Sequence, residues 1–235
     1  MLGVGPGMMI RELQRRAVDG IKRHALMISL GSPRAEAQIL QEYLWVEEST
    51  ESDALRQTID RTEPPGWLAE LIARQLADER RHAELLRRRL ATLGAPPSRP
   101  PPAIGRAKVW WLERACAPYA TTFAAGPIVT LLAIAAQAEA TGVRVFGRHL
   151  GVLEERCGAS DATAEVVRSI LADEKRHARS CAAALERLVL DEERAALDEM
   201  RRRIAAIDRA FGVTIALAYW IVIAAHVLRD RRSRR

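Results

Sequence analysis

Glu79 and His82 stand three residues apart in the segment Leu-Ala-Asp-Glu-Arg-Arg-His-Ala (76–83), and Glu174 and His177 repeat the spacing in Leu-Ala-Asp-Glu-Lys-Arg-His-Ala (171–178). On a helix, residues i and i+3 share a face, so each segment sets a carboxylate beside an imidazole. A single such pair is an ordinary surface ion pair. Two copies that agree at seven of eight positions, the eighth being Arg for Lys, call for a common task. Carboxylate plus imidazole is the donor set of iron and manganese sites that keep positions open for oxygen.

The neighbours of these pairs are apolar. Leu68, Ile72, Leu76, Ala83, Leu86 and Leu90 share or border the Glu79/His82 face, and Val167, Ile170, Leu171, Ala178, Cys181 and Leu185 do the same for Glu174 and His177. Both faces are therefore expected to point inward. A buried carboxylate without a partner is costly, and a bound cation offsets that cost. A dinuclear site in a four-helix bundle needs one Glu from each of the other two helices as well. Glu139 interrupts the apolar stripe Leu132, Ala135, Ala136, Val143, Phe146 and Leu150, so it is the candidate from the third helix. For the first helix Glu48 fits best, with Leu40, Leu44, Leu55 and Ile59 on its face, and Glu47 and Glu42 compete with it.

The elements that must carry these residues are helical. Ala, Leu and Arg recur, aromatics are 5%, and 49% of the residues are apolar, which favours helices over strands. A first helix is expected over about Ile10 to Leu30, stopped by Gly31. A second runs from near Ser32 to about Arg61, where Thr62-Glu-Pro-Pro-Gly66 breaks it, and a third from Trp67 to Leu93, before Gly94. Residues 95–105 form a proline-rich, extended spacer. A segment with Trp110 and Trp111, more in the manner of packing or interfacial anchors than of an electron relay, leads to a long helix over about Pro127 to Arg156 and another that opens at Asp161. Two helical hairpins joined by one long crossover are the layout of an all-α, ferritin-like four-helix bundle. The expected organisation is an N-terminal helix (1–31), the bundle (32–190, crossover 95–126), a connecting helix (191–209), a transmembrane anchor (210–228) and a basic tail (229–235). His24, His149 and His226 lack the paired acid and read as ordinary residues.

On these motifs, residues 32–190 resemble the ferritin-like di-iron carboxylate superfamily, which includes rubrerythrins, bacterioferritins and the demethoxyubiquinone hydroxylases. The resemblance implies two iron ions, or a manganese–iron pair, bridged by Glu79 and Glu174, with His82 and His177 on one ion each and Glu48 and Glu139 as terminal ligands. It implies an oxidoreductase that activates O2 or peroxide, as a peroxide reductase, a ferroxidase or a hydroxylase of a lipid-soluble substrate. The three cysteines, Cys116, Cys157 and Cys181, form no C-x-x-C pair, so no rubredoxin-type centre is present and electrons come from an external donor. A homo-oligomer is compatible with this class.

Ala210 to Leu228 is a run of 19 residues without Asp, Glu, Lys or Arg. As a helix it spans about 29 Å, close to the hydrocarbon thickness of a bilayer. With no signal peptide at the start, the bundle is expected on the cytoplasmic side of a membrane, although arginines flank the run on both sides. A soluble cytoplasmic protein is the alternative. The net charge is +6, from 36 basic and 30 acidic residues, and Arg229, Arg231, Arg232, Arg234 and Arg235 crowd the end of the chain. Elsewhere basic residues alternate with acidic ones and no recognition motif accompanies them, so no specific nucleic-acid partner is expected. The non-enzymatic alternative is an iron-binding or metal-free helical adaptor at a membrane.

Overall fold

Ser32 and Asp161 set two helix starts. The Ser32 hydroxyl accepts the Ala35 amide, with Pro33 in the first turn, and the Asp161 carboxylate accepts the amides of Thr163 and Ala164. Gly94 and Gly158 set two ends, at φ +67° and +91°, a backbone region that a side chain would strain. The computed structural model describes residues 6–48, 64–96 and 103–233, and among these it holds seven α-helices and no strand. They are α1 (Pro6–Ser29), α2 (Pro33–Glu47), α3 (Gly66–Thr92), α4 (Ala103–Cys116), α5 (Ile128–Arg156), α6 (Ala162–Leu188) and α7 (Arg194–Ser233).

Three expectations change. The second helix ends at Glu47, with Glu48 as its cap, instead of reaching Arg61; residues 49–63 lie outside the described residues. The crossover contains α4, which takes in the last three residues of the expected spacer, while 97–102 lie outside the described residues. Most of the connecting helix, the apolar run and most of the basic tail belong to one 40-residue helix, α7, which passes through Gly212 and meets no proline.

Helices α2, α3, α5 and α6 pack as α2 on α3, α3 on α6 and α5 on α6, and α1, α4 and α7 form an outer group against them. The apolar core divides in two. One cluster gathers Leu68, Ile72, Leu132, Leu185, Met200 and Ile204, and the other Ile39, Leu40, Leu44, Leu86, Leu90 and Ile170. The level between them, from Leu76 to Ala83 on α3 and from Leu171 to Cys181 on α6, is where the repeated octapeptides lie.

The apolar run does not project away from the other helices. Within it Ala216, Ile223 and Val227 are buried, and the Trp220 indole donates to His24 Nδ1 at 2.8 Å. Just beyond it Asp230 accepts the Ser32 hydroxyl at 2.6 Å and pairs with Arg34 at 3.2 Å. Leu217, Ile221 and Leu228 are turned outward. By length and composition both α5 and the stretch containing α7 are apolar enough to cross a membrane. Trp110 and Trp111 are each about half exposed and meet edge to face. His149 is buried and held neutral, pushed down to about 4 by burial, and its Nδ1 shares a hydrogen bond with the Tyr43 hydroxyl at 3.2 Å.

Leu86 is fully buried and Leu13 is 60% exposed. Leu86→Ala should therefore cost about 2–5 kcal/mol in chemical denaturation, and Leu13→Ala less than about 0.5 kcal/mol; equal losses would contradict this core.

Candidate metal centre

Glu79 and His82 on α3, Glu174 and His177 on α6, Glu139 on α5 and Glu47 on α2 converge in the layer between the two apolar clusters. They form two overlapping groups, Glu47, Glu79, His82 and Glu174, and Glu79, Glu139, Glu174 and His177, within each of which the ligand atoms lie within 4.8 Å of one another. Glu79 and Glu174 belong to both, which is the position of a carboxylate that bridges two ions. The imidazole rings stand 6.0 Å apart. His82 Nδ1 is 3.1 Å from Glu47 and 3.6 Å from Glu79. His177 Nδ1 is 3.3 Å from Glu79 and 3.6 Å from Glu139. All six side chains are buried or nearly so.

Five of the six expected residues are brought together and Glu48 is not. It is exposed and pairs with Arg87. One residue is a rotation of about 100° around a helix, enough to carry Glu48 to the outer side while Glu47 faces Glu79 and His82. Glu42 accepts a hydrogen bond from Gln38 and stays outside the cluster. The buried Tyr43 and Leu44, four and three residues before Glu47, marked the correct face; Leu55 and Ile59, which favoured Glu48, lie outside the described residues.

A second layer went unread in the sequence although the octapeptides contain it. His82 Nε2 donates to Asp173, and His177 Nε2 to Asp78, each at 3.1 Å, so each copy orients the histidine of the other. Arg81 and Arg176 bind both aspartates. Burial opposes ionisation of Asp173, but hydrogen bonds from Arg81, His82 and Arg176 outweigh it and bring the group down to about 2. Asp78 is lowered against the same opposition by His177, Arg81 and Arg176. An ionised carboxylate only accepts, so each Nε2 carries a proton and each Nδ1 faces the cluster, the arrangement that prepares a metal ligand once Nδ1 gives up any proton it holds. The signal was identity of Asp and Arg in both copies, at the positions one and four places ahead of and one place before the liganding pair's Glu and His.

The remaining geometry fits cations. Buried His177 Nδ1 has carboxylates around it but no hydrogen bond of proper geometry. Gly142, one turn after Glu139, leaves room for Glu174: a Cβ there would stand 2.2 Å from its Oε2. Four carboxylates match the charge of two divalent ions. Without cations, protons take their place. Burial and then the Glu139 charge push Glu174 up to about 10, and burial raises Glu47 well above the usual range. Burial opposes charging His177, but Glu139, Glu79 and Asp78 take it up to about 11.

The two halves differ in one respect. Gln75 donates to Glu139 at 2.5 Å, and the Cys181 thiol donates to the Gln75 oxygen at 3.6 Å. Ninety-five residues away, the offset of the repeat, stand Ile170 for Gln75 and Leu86 for Cys181, both fully buried. Set against protein-family models, curated proteins and solved structures, the chain matches none.

Loading Mn2+ or Zn2+ must displace the protons held at Glu174 and His177. Affinity should therefore rise from about pH 6 to about pH 8, with proton release seen by calorimetry in buffers of different ionisation enthalpy; pH-independent binding would contradict this. Gly142→Ala should push the Glu174 carboxylate aside and weaken metal binding by about 10–100-fold while the helix content by circular dichroism is kept.

Proposed function

We propose that this chain is a ferritin-like, non-haem di-iron oxidoreductase that activates O2 or peroxide. The observation that carries the reading is the pair of overlapping ligand groups sharing Glu79 and Glu174. In this reading Glu47 and His82 would hold one iron and Glu139 and His177 the other, with Glu79 and Glu174 available to both. A pair of irons held there would supply one-electron redox chemistry toward O2 or peroxide. The residues do the rest. The Nε2 bonds to Asp173 and Asp78 keep each Nδ1 aimed inward, the two apolar clusters limit water at the site, and the Gly142 recess gives Glu174 room to change its position as charge changes. A manganese–iron pair suits the same donors.

Membrane association belongs to the proposal too. The contacts that dock α7 at Trp220 and Asp230 favour a helix lying along the bundle, with Leu217, Ile221 and Leu228 against the cytoplasmic face of a bilayer, over one threaded through it. With no C-x-x-C pair in the sequence, reducing equivalents would come from an external protein or small-molecule donor, and a second copy of the chain is an acceptable neighbour.

Anaerobic titration of the purified protein with Fe2+ should saturate at about two ions per chain, the capacity of two such ligand sets. An O2 or H2O2 challenge should then give rapid iron oxidation, and Glu79→Ala/Glu174→Ala should lose both. Full iron binding and activity in the double variant would refute the proposal, and no iron uptake after anaerobic reconstitution would leave a metal-free helical adaptor.

A further inference from the structure

Outside the metal centre a half-open cavity of about 1050 Å3 lies between α2 and α5, with α1, α4 and α7 around it. This is at the upper end of the range of about 300–1,000 Å3 typical of small-molecule sites. Its position is specific. Val46 and Ala138, next in sequence to Glu47 and Glu139, belong to its wall, as does Tyr43 one turn before Glu47, whereas no residue of α3 or α6 lines it. It lies on the side of the centre that supplies Glu47 and Glu139, away from the Asp78 and Asp173 network.

The wall is mainly apolar, with Val109 and Leu112 of α4 facing Leu131 and Ile134 of α5. One zone is charged. Lys108 pairs with Asp208 at 2.5 Å, Arg144 reaches the same carboxylate at 3.5 Å, and Arg148 pairs with Asp19. Lys22, half-buried and lining the same cavity, has no hydrogen-bond or ion-pair partner among the described residues. Four cations thus face two carboxylates. The other charged lining residues, Arg15, Arg209, Glu12, Glu42 and Glu113, add no further positive excess, so the surplus is local to this ring. Burial and the nearby Arg148 hold Lys22 down to about 8, the mark of an ammonium short of countercharge.

We infer that the cavity binds a long-chain carboxylate, its head on Lys22 within the ring of Lys108, Arg144 and Arg148 and its chain along the apolar wall of α4 and α5. The charge ring selects an anionic head over a neutral or cationic one. The apolar wall rewards a chain over a compact anion. Binding requires no metal and stands apart from the redox reading.

The test is displacement of the fluorescent fatty acid cis-parinaric acid from the purified full chain. Palmitate should displace it at least about tenfold better than hexadecanol or hexadecyltrimethylammonium. Lys22→Met should remove that preference with hexadecanol unaffected, and Val109→Trp, on a helix that supplies no metal ligand, should weaken all three by filling the wall. Absence of saturable binding, equal displacement by the three head groups, or wild-type behaviour of both variants would overturn the inference. Iron content measured on the same samples separates the two readings: intact iron uptake without fatty-acid binding overturns this site alone, and the reverse outcome overturns the redox proposal alone.

Discussion

Four carboxylates in one dry layer repel one another, and the rest of the architecture answers that repulsion. Glu47, Glu79, Glu139 and Glu174 come from four different helices and meet between two apolar clusters that offer them no water. Bulk water would screen them, and burial strengthens the interaction several-fold. Protons relieve the conflict at Glu47 and Glu174, both raised above their ordinary range by burial and the neighbouring charges, while hydrogen bonds from Glu47, His177 and His82 lower Glu79 against its burial, and divalent ions could take the protons' place. A core of this kind is less stable than an all-apolar one of the same volume.

Rigidity comes from the outer ring of charges. Asp78, Arg81, Asp173 and Arg176 form a closed network on the α3–α6 side that fixes both imidazoles. On the α2–α5 side the supports are uneven. Glu139 is held by Gln75, itself bonded to Cys181, while the equivalent positions near Glu47 are the apolar Ile170 and Leu86. The two ligand groups are related by the repeat but have different surroundings, so ions in them would feel different local polarity.

Much of this could be read from the sequence because the octapeptide repeats. Two matched Glu-x-x-His pairs with apolar flanks placed four ligands on two inward faces, and Glu139 declared itself by interrupting an apolar stripe. The first helix offered three acids in seven residues and no repeat to align them, and a choice between Glu47 and Glu48 is a choice of about 100° that residues beyond Glu48 were used to make. The aspartates and arginines are visible in both octapeptides, but their role exists only across the helix pair. The apolar run at 210–228 was legible as a helix. That it docks along the bundle depends on single contacts, Trp220 with His24 and Asp230 with Ser32, for which composition carries no signal.

The crossed bonding of the histidines has one more consequence. Asp78 serves His177 and Asp173 serves His82, although each aspartate lies only four residues from the histidine of its own helix. Neither hairpin is self-sufficient: alone, each would leave the Nε2 of its histidine without the aspartate that fixes it, and its aspartate with only the arginine of its own helix. Only face-to-face exchange between two copies of the motif completes either one. What a single polypeptide now achieves by folding back on itself, a chain of half the length would have to obtain by pairing with its twin.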